Sequence, residues 1–160
     1  MRIAFFDLNH TSRGRHTNTV ALGSGLIATY LCKSLDHDFD IKIFKDPDKT
    51  MKILEKWVPD IVGLAQYPWN SNLNLYFSKY IKKINPNSLV VAGGPNLYRS
   101  QQLRQESFKR NSFVDICVAF DGEVPFTEIV RRILSGQTNE QIRMDPVSGS
   151  YSLNPENGLL

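Results

Sequence analysis

The sequence predicts an α/β protein built on a parallel sheet. Three observations carry this reading: five short apolar runs of strand length, five helical stretches between them, and strict alternation of the two. Strands covered on both faces read as continuous apolar runs, whereas the helices covering them carry an apolar stripe. Alternation of the two types implies right-handed crossovers between parallel neighbours.

The elements follow in order. Arg2–Asp7 (RIAFFD) is the first strand. Thr19–Leu35 is a helix, with Leu22, Leu26, Tyr30 and Leu31 at helical spacing. Asp40–Phe44 (DIKIF) alternates with period two and forms the second strand. Thr50–Trp57 is a short helix with Asp48 or Thr50 as candidate caps. Ile61–Ala65 (IVGLA) is the third strand. Ser71–Ile84 lines up Leu73, Phe77, Tyr80 and Ile84 and turns Lys79, Lys82 and Lys83 towards water, until Asn85-Pro86-Asn87 stops it. Leu89–Ala92 (LVVA) is the fourth strand, Ser100–Arg110 a helix and Val114–Val118 the fifth strand. Pro125–Ser135 has proline near its start and Gly136 just past its end, and buries Phe126, Ile129, Val130 and Ile133.

Five strands in this pattern favour the flavodoxin-like (Rossmann-like) order 2-1-3-4-5, with helices on both faces. Residues 1–136 make up this domain. Residues 137–160 carry no helical stripe, and Asp145-Pro146-Val147-Ser148-Gly149 reads as a turn between two weak strands. The segment is expected to be a small C-terminal hairpin, or a linker to an absent domain.

Composition bounds the function. The 160 residues suit one domain at ~100–200 residues each, and 41% hydrophobic with 22% charged residues is an ordinary globular balance. No apolar run nears the ~18 residues of a membrane span, and Met1-Arg2 leads straight into the first strand without a secretory signal. Cys32 and Cys117 give no disulfide framework and no repeated metal motif; they read as inert core thiols in a reducing cytoplasm. Nineteen basic against sixteen acidic residues, a net charge of +3, permit an anionic ligand but do not argue for nucleic acid.

In this fold ligands bind at the carboxyl ends of the strands, beside strands 1 and 3. The first such loop, Asn9–Asn18 (NHTSRGRHTN), is polar and longer than the usual ~2–6 residues, so Asn9, His10, Thr11 and Ser12 are candidate ligand contacts. A plain surface loop is the alternative. Gly23 and Gly25 lie inside the first helix, where each costs up to ~1 kcal/mol against alanine. Either a ligand chain along the helix or close helix–sheet packing is needed to offset that. Gly23–Ala28 matches G-x-G-x-x-A but lies well past the turn after the strand, which argues against a dinucleotide.

After the third strand, Gln66, Tyr67, Pro68, Trp69 and Asn70 read as a flat apolar wall with hydrogen-bonding groups, or as a rim of core aromatics. After the fourth, Gly93-Gly94-Pro95-Asn96 lets backbone approach a ligand, or makes a simple tight turn. After the fifth, Gly122 precedes Glu123 at a helix N-terminus, where a carboxylate gains ~0.3–1 kcal/mol; Glu123 is either a cap alone or also an acceptor for a ligand hydroxyl or amide. No nucleophile elbow or P-loop occurs, and His10 and His16 share a loop without a third metal ligand. Asp7 ends the first strand like a receiver phosphoacceptor, but lacks companion acids and a fifth-strand lysine.

The runs PDIVGLAQYPWNSNL, LVVAGGPN and VDICVAFDGEVPFTEIVRRILSG resemble the N-terminal cobalamin-binding domain of radical S-adenosylmethionine enzymes of the methyltransferase and cyclase type. Pro59-Asp60 stands before the third strand and Gly93-Gly94-Pro95 after the fourth, as in that family. Gly122-Glu123 matches the second half of its Gly-Glu-Gly-Glu segment, with Phe120-Asp121 in place of the first half. ALGSGLIATYL resembles its first helix, and Asn154-Pro155 its Asn-Pro after a small hairpin. The likeness covers about residues 2–156.

Two departures narrow it. Asp7 and His10 are one residue too far apart for the Asp-x-His-x-x-Gly motif of the methionine-synthase type, which leaves His10 a doubtful cobalt ligand and agrees with the radical branch. The Cys-x-x-x-Cys-x-x-Cys of a radical cluster is also missing. The resemblance therefore implies a cobalamin-binding module with no catalytic residue of its own. The iron–sulfur cluster, S-adenosylmethionine and methyl transfer to a substrate radical belong to an absent second domain, in the same longer chain or in trans. It also implies a nucleotide tail between the first loop and the first helix, with Gly94 and Gly122 N–H groups on corrin amides or phosphate. Tyr67, Pro68 and Trp69 would face the corrin's lower side. Two alternatives remain open: a flavin mononucleotide module using Thr11, Ser12 and Thr17 as a phosphate loop, and a cofactor-free interaction or receiver-like domain.

Overall fold

Five apolar runs form parallel strands in the computed structural model, which describes residues 1–11, 20–97 and 100–154. They are β1 (Arg2–Phe6), β2 (Asp40–Phe44), β3 (Ile61–Ala65), β4 (Leu89–Gly93) and β5 (Ile116–Val118). The order β2-β1-β3-β4-β5 is the expected one, with Ile3 paired to both Ile41 and Ile61 and Gly63 to Val91.

The sheet has six strands, however, not five. A two-residue strand β6 (Ser150–Tyr151) joins the outer edge antiparallel to β5, placing Tyr151 opposite Cys117. The expected C-terminal hairpin is thus a helix, a turn and one strand. The helix was too short to show a stripe: it spans Asn139–Met144 and buries Ile142 alone. Its signature was at its start, where the Thr138 hydroxyl accepts from the Gln141 N–H and the Gln141 side chain accepts from the Thr138 N–H.

The helices are α1 (Leu22–Ser34), α2 (Pro47–Leu54), α3 (Ser71–Ile84), α4 (Gln101–Arg110), α5 (Glu123–Leu134) and α6 (Asn139–Met144). Helix α2 starts earlier than expected, because Asp46 rather than Asp48 or Thr50 caps it, accepting from the Asp48 and Lys49 N–H groups ahead of Pro47. The sheet has a core on each face. On one, Leu54, Phe77, Ile81 and Phe108 of α2, α3 and α4 meet Phe6, Val62 and Val90. On the other, Leu31, Phe126, Ile129 and Ile142 of α1, α5 and α6 meet Ile3, Phe5 and Val91.

The predicted stripes on α3 and α5 are the buried ones. On α1 only Leu31 of the expected stripe is buried, packing with Ser24 and Ile27, while Leu22, Leu26 and Tyr30 stay exposed. Cys32 lies on the exposed side too and is not a core thiol, whereas Cys117 is buried and its thiol is pushed up to about 12 by desolvation. Lys82 does not point to water. Its Nζ lies 2.6 Å from the buried Asp115 carboxylate, which also accepts from the Val90 N–H at 2.8 Å. No helix among the described residues is long and apolar enough to cross a membrane.

Candidate functional site

Parallel strands all end at one rim, and their following loops surround it. At that rim a cavity of about 300 Å³ opens between α1 and α5. Its floor is Phe5, Gly63 and Val91, from the face of the sheet that α1 and α5 cover. The Phe5 and Phe126 rings lie 5.0 Å apart at the back. Gly23, Ser24, Leu26 and Ile27 form the α1 wall, and Phe120 to Glu123 the opposite one.

Small residues make the space. An added Cβ at Gly122 would lie 2.7 Å from Ile27 Cδ1, so the loop after β5 packs directly on the Ile27 side chain of α1, which would have to turn aside for a larger residue. Gly94 has φ of +121°, and a Cβ there would meet the Gln66 carbonyl oxygen at 2.9 Å. This turn is held by the Gln66 N–H donating to Gly93 O at 2.7 Å and the Asn96 N–H donating to Gln66 O at 3.2 Å. Around Gly23 and Gly25, by contrast, an added Cβ meets nothing within 4 Å. Close helix–sheet packing therefore does not account for those two glycines.

The polar wall is acidic: Asp7, Asp121 and Glu123 line the cavity, with no lysine or arginine among the described lining residues. Burial holds the Asp7 carboxyl above its usual pKa, against the opposing charge of Lys45. Among the described residues no three histidine, cysteine, aspartate or glutamate side chains converge as a metal site.

Beside the cavity stands the aromatic wall. The rings of Tyr67 and Trp69 stack, with centroids 4.6 Å apart and planes 7° apart, and Trp69 keeps 56% of its surface exposed. Pro68 opens the 3-10 turn Pro68–Asn70, which brings the rings together. Asn70 fixes that turn from below: its Oδ1 accepts from the Tyr67 N–H at 2.9 Å and its Nδ2 donates to Ala65 O at 2.8 Å. Asn74, one helical turn on, donates to Ala65 O, to Gln66 Oε1 at 3.1 Å and to Asn70 Oδ1 at 3.2 Å. Both asparagines are fully buried.

His10 joins the first loop to this wall, its Nε2 donating to Trp69 O at 2.8 Å. A carbonyl only accepts, so Nε2 carries the proton and is taken up by this bond. Asn9 bonds to the ends of both edge-side strands, its N–H donating to Lys45 O just past β2 and its Nδ2 to Asp7 O just past β1.

Of the residues singled out from sequence, the cavity brings together Gly23, Tyr67, Gly93, Gly94, Gly122 and Glu123. Pro68, Trp69 and Asn70 build the adjoining wall, and Gln66 and Asn96 the turn beneath it. Asn9, His10, Thr11, Gly25 and Pro95 do not line the cavity. Ser12 and Thr17 lie outside the described residues. Sequence reading missed Phe5, Ile27 and Gly63, which sit in runs that looked like plain core, and the buried Asn74. The signal for Asn74 was an asparagine inside the apolar stripe of α3.

The departure at Phe120 leaves a structural mark. Its φ is +60°, the left-handed geometry that suits glycine, and it is the one non-glycine with positive φ among the described residues.

No protein-family model matches the chain. Among curated proteins, it is 32% identical over 78% of its length to the cobalamin-dependent radical SAM methyltransferase TokK of Streptomyces tokunonensis, covering 20% of that protein. It is 33% identical over 45% of its length to the 2-(S-pantetheinyl)-carbapenam-3-carboxylate methyltransferase of Streptantibioticus cattleyicolor, covering 10% of it. It is 30% identical over 72% of its length to an uncharacterized methyltransferase of Pyrococcus horikoshii, covering 26% of it. The chain thus spans between a tenth and about a quarter of these relatives, and is similar to one stretch of larger methyltransferases.

Proposed function

We propose that this chain is a cobalamin-binding module of the kind found in radical S-adenosylmethionine methyltransferases, and that it holds the cofactor without catalysing a reaction by itself. The observation that carries this is the cavity between α1 and α5, open at the strand ends and walled by Gly23, Gly94 and Gly122. It is far smaller than the whole cofactor and suits one arm of it, the nucleotide tail. The flat Tyr67–Trp69 stack beside its mouth suits the face of the macrocycle. The apolar floor and the carboxylates of Asp7, Asp121 and Glu123 suit a neutral aromatic group bearing hydroxyl or amide donors.

Bound cobalamin supplies a cobalt centre able to carry a methyl group. The chain's residues would hold and shield it. Asp7 and Glu123 would accept hydrogen bonds from the tail, and the Gly94 and Gly122 backbone N–H groups would donate them. Trp69 and Tyr67 would limit water on the lower face. His10 Nε2 is already bonded to Trp69 O, which supports a site in which this histidine does not reach cobalt. Residues 1–136 would carry binding, and 137–160 would lead to a second domain holding the iron–sulfur cluster and S-adenosylmethionine.

The test is retention. The purified chain is incubated with hydroxocobalamin, desalted, and its visible spectrum recorded. One retained equivalent with a base-off spectrum is expected. A colourless protein after desalting would sink the reading, and retention of flavin mononucleotide in a parallel run would replace it.

A further inference from the structure

Phe120 is out of place by every ordinary rule. It is the most exposed large apolar residue of the described chain together with Val20, at 84%. Its backbone sits at φ +60°, a region that a residue with a bulky Cβ substituent avoids. Its ring has no aromatic partner among the described residues, whereas the neighbouring Phe126 packs on Phe5. Water and strain both disfavour this arrangement in the free chain. Yet the loop is anchored on either side. The Ala119 N–H donates to Gly149 O at 2.8 Å, and the Phe126 N–H to Gly122 O at 3.0 Å, starting α5.

The strained residue also stands at a particular place. Phe120 lines the mouth of the cavity on the β5–α5 side, and Leu26, itself 49% exposed, lines it on the α1 side. The lip is therefore apolar on both sides, while the carboxylates of Asp7 and Glu123 belong to the same cavity. An apolar lip left in water calls for an apolar surface to cover it when the cavity is filled.

We infer that Phe120 is a cofactor-contacting residue, whose ring closes over the bound cobalamin at the cavity mouth opposite Leu26. This rests on the cobalamin reading above. Phe120 holds its positive φ at the cavity lining, and contact with the cofactor recovers apolar burial that the free chain lacks. No part of the ring acts on the reaction; it slows release of the cofactor.

Three variants separate the ring from the backbone: Phe120→Gly removes both ring and strain, Phe120→Ala removes the ring and keeps a Cβ, and Val124→Ala trims an exposed apolar residue that does not line the cavity. Each is loaded with hydroxocobalamin, and release is followed on dilution; melting is followed without cofactor. Burying a phenylalanine ring predicts release roughly ten- to a hundredfold faster in both Phe120 variants. Relief of the strained backbone predicts melting about 2–5 °C higher for Phe120→Gly alone. Val124→Ala should match wild type in both. Wild-type release rates in both Phe120 variants would overturn the inference and leave the cobalamin reading standing. A wild-type chain that retains no cobalamin would overturn both.

Discussion

The Nε2–H of His10 donates to the carbonyl oxygen of Trp69 at 2.8 Å, tying the loop after β1 to the aromatic wall after β3. The one histidine placed near the site by sequence is thus used to hold protein to protein. His10→Ala should leave the visible spectrum of bound cobalamin unchanged and weaken its retention only a few-fold, the worth of one lost hydrogen bond of about 1 kcal/mol. A spectral shift on substitution would make His10 a cobalt ligand after all.

Gly25 separates helix energetics from binding. Its added Cβ meets nothing within 4 Å and it does not line the cavity. Gly25→Ala should therefore stabilise the chain by about 0.5–1 kcal/mol, through helix propensity alone, in chemical unfolding. A destabilised variant would show that α1 needs the glycine for a neighbour not yet in place.

Gly94 is the opposite case. With φ at +121° and a Cβ only 2.9 Å from the Gln66 carbonyl, Gly94→Ala should cost about 2–3 kcal/mol of stability. It should also disturb the turn that sets Gln66 and Asn96, so cobalamin retention falls with it. An unfolding midpoint equal to wild type would contradict the left-handed geometry.

Asp7 predicts a pH dependence. Burial raises its pKa above the usual 3.8, so the folded chain holds this proton more tightly than the unfolded chain does. Its contribution to stability is full below that usual value and is lost as pH rises through the folded pKa. At neutral pH the half-buried carboxylate is a modest liability, and Asp7→Asn should make the cofactor-free chain slightly more stable there. The gain should fade as pH falls towards the ordinary carboxylate range. A stability difference independent of pH would contradict this assignment.

Much of this molecule was legible from its residues. Four continuous apolar runs and the alternating DIKIF at the edge pointed to the parallel sheet, because strands covered on both faces are written in apolar residues. The α3 and α5 stripes were read correctly for the same reason: Phe77 and Phe126 each sit on a strong 3.6-residue pattern. The misreadings share a cause. Helix α1 carries Leu22, Leu26 and Tyr30 in water, with Leu26 lining the cavity, so its pattern mixes two faces and only Leu31 marks the buried one. Helix α6 and strand β6 are too short for periodicity, and the register of Tyr151 against Cys117 is a tertiary choice. Lys82 looked solvent-bound because its partner, Asp115, lies at the start of a distant strand. At the site, the loops after the strands could be named from position alone. Which of their residues share one cavity depended on how α1 leans on α5, which no local pattern encodes.

The most direct test of the central claim is a titration of hydroxocobalamin into wild-type chain and Gly23→Leu, with Gly25→Ala as control. Gly23 lines the cavity and faces open space, so a leucine there fills the cavity without straining the helix. The account predicts binding to wild type and to Gly25→Ala, and at least roughly tenfold weaker binding to Gly23→Leu. Equal binding to all three would place the cofactor elsewhere, and binding to none would contradict the claim outright.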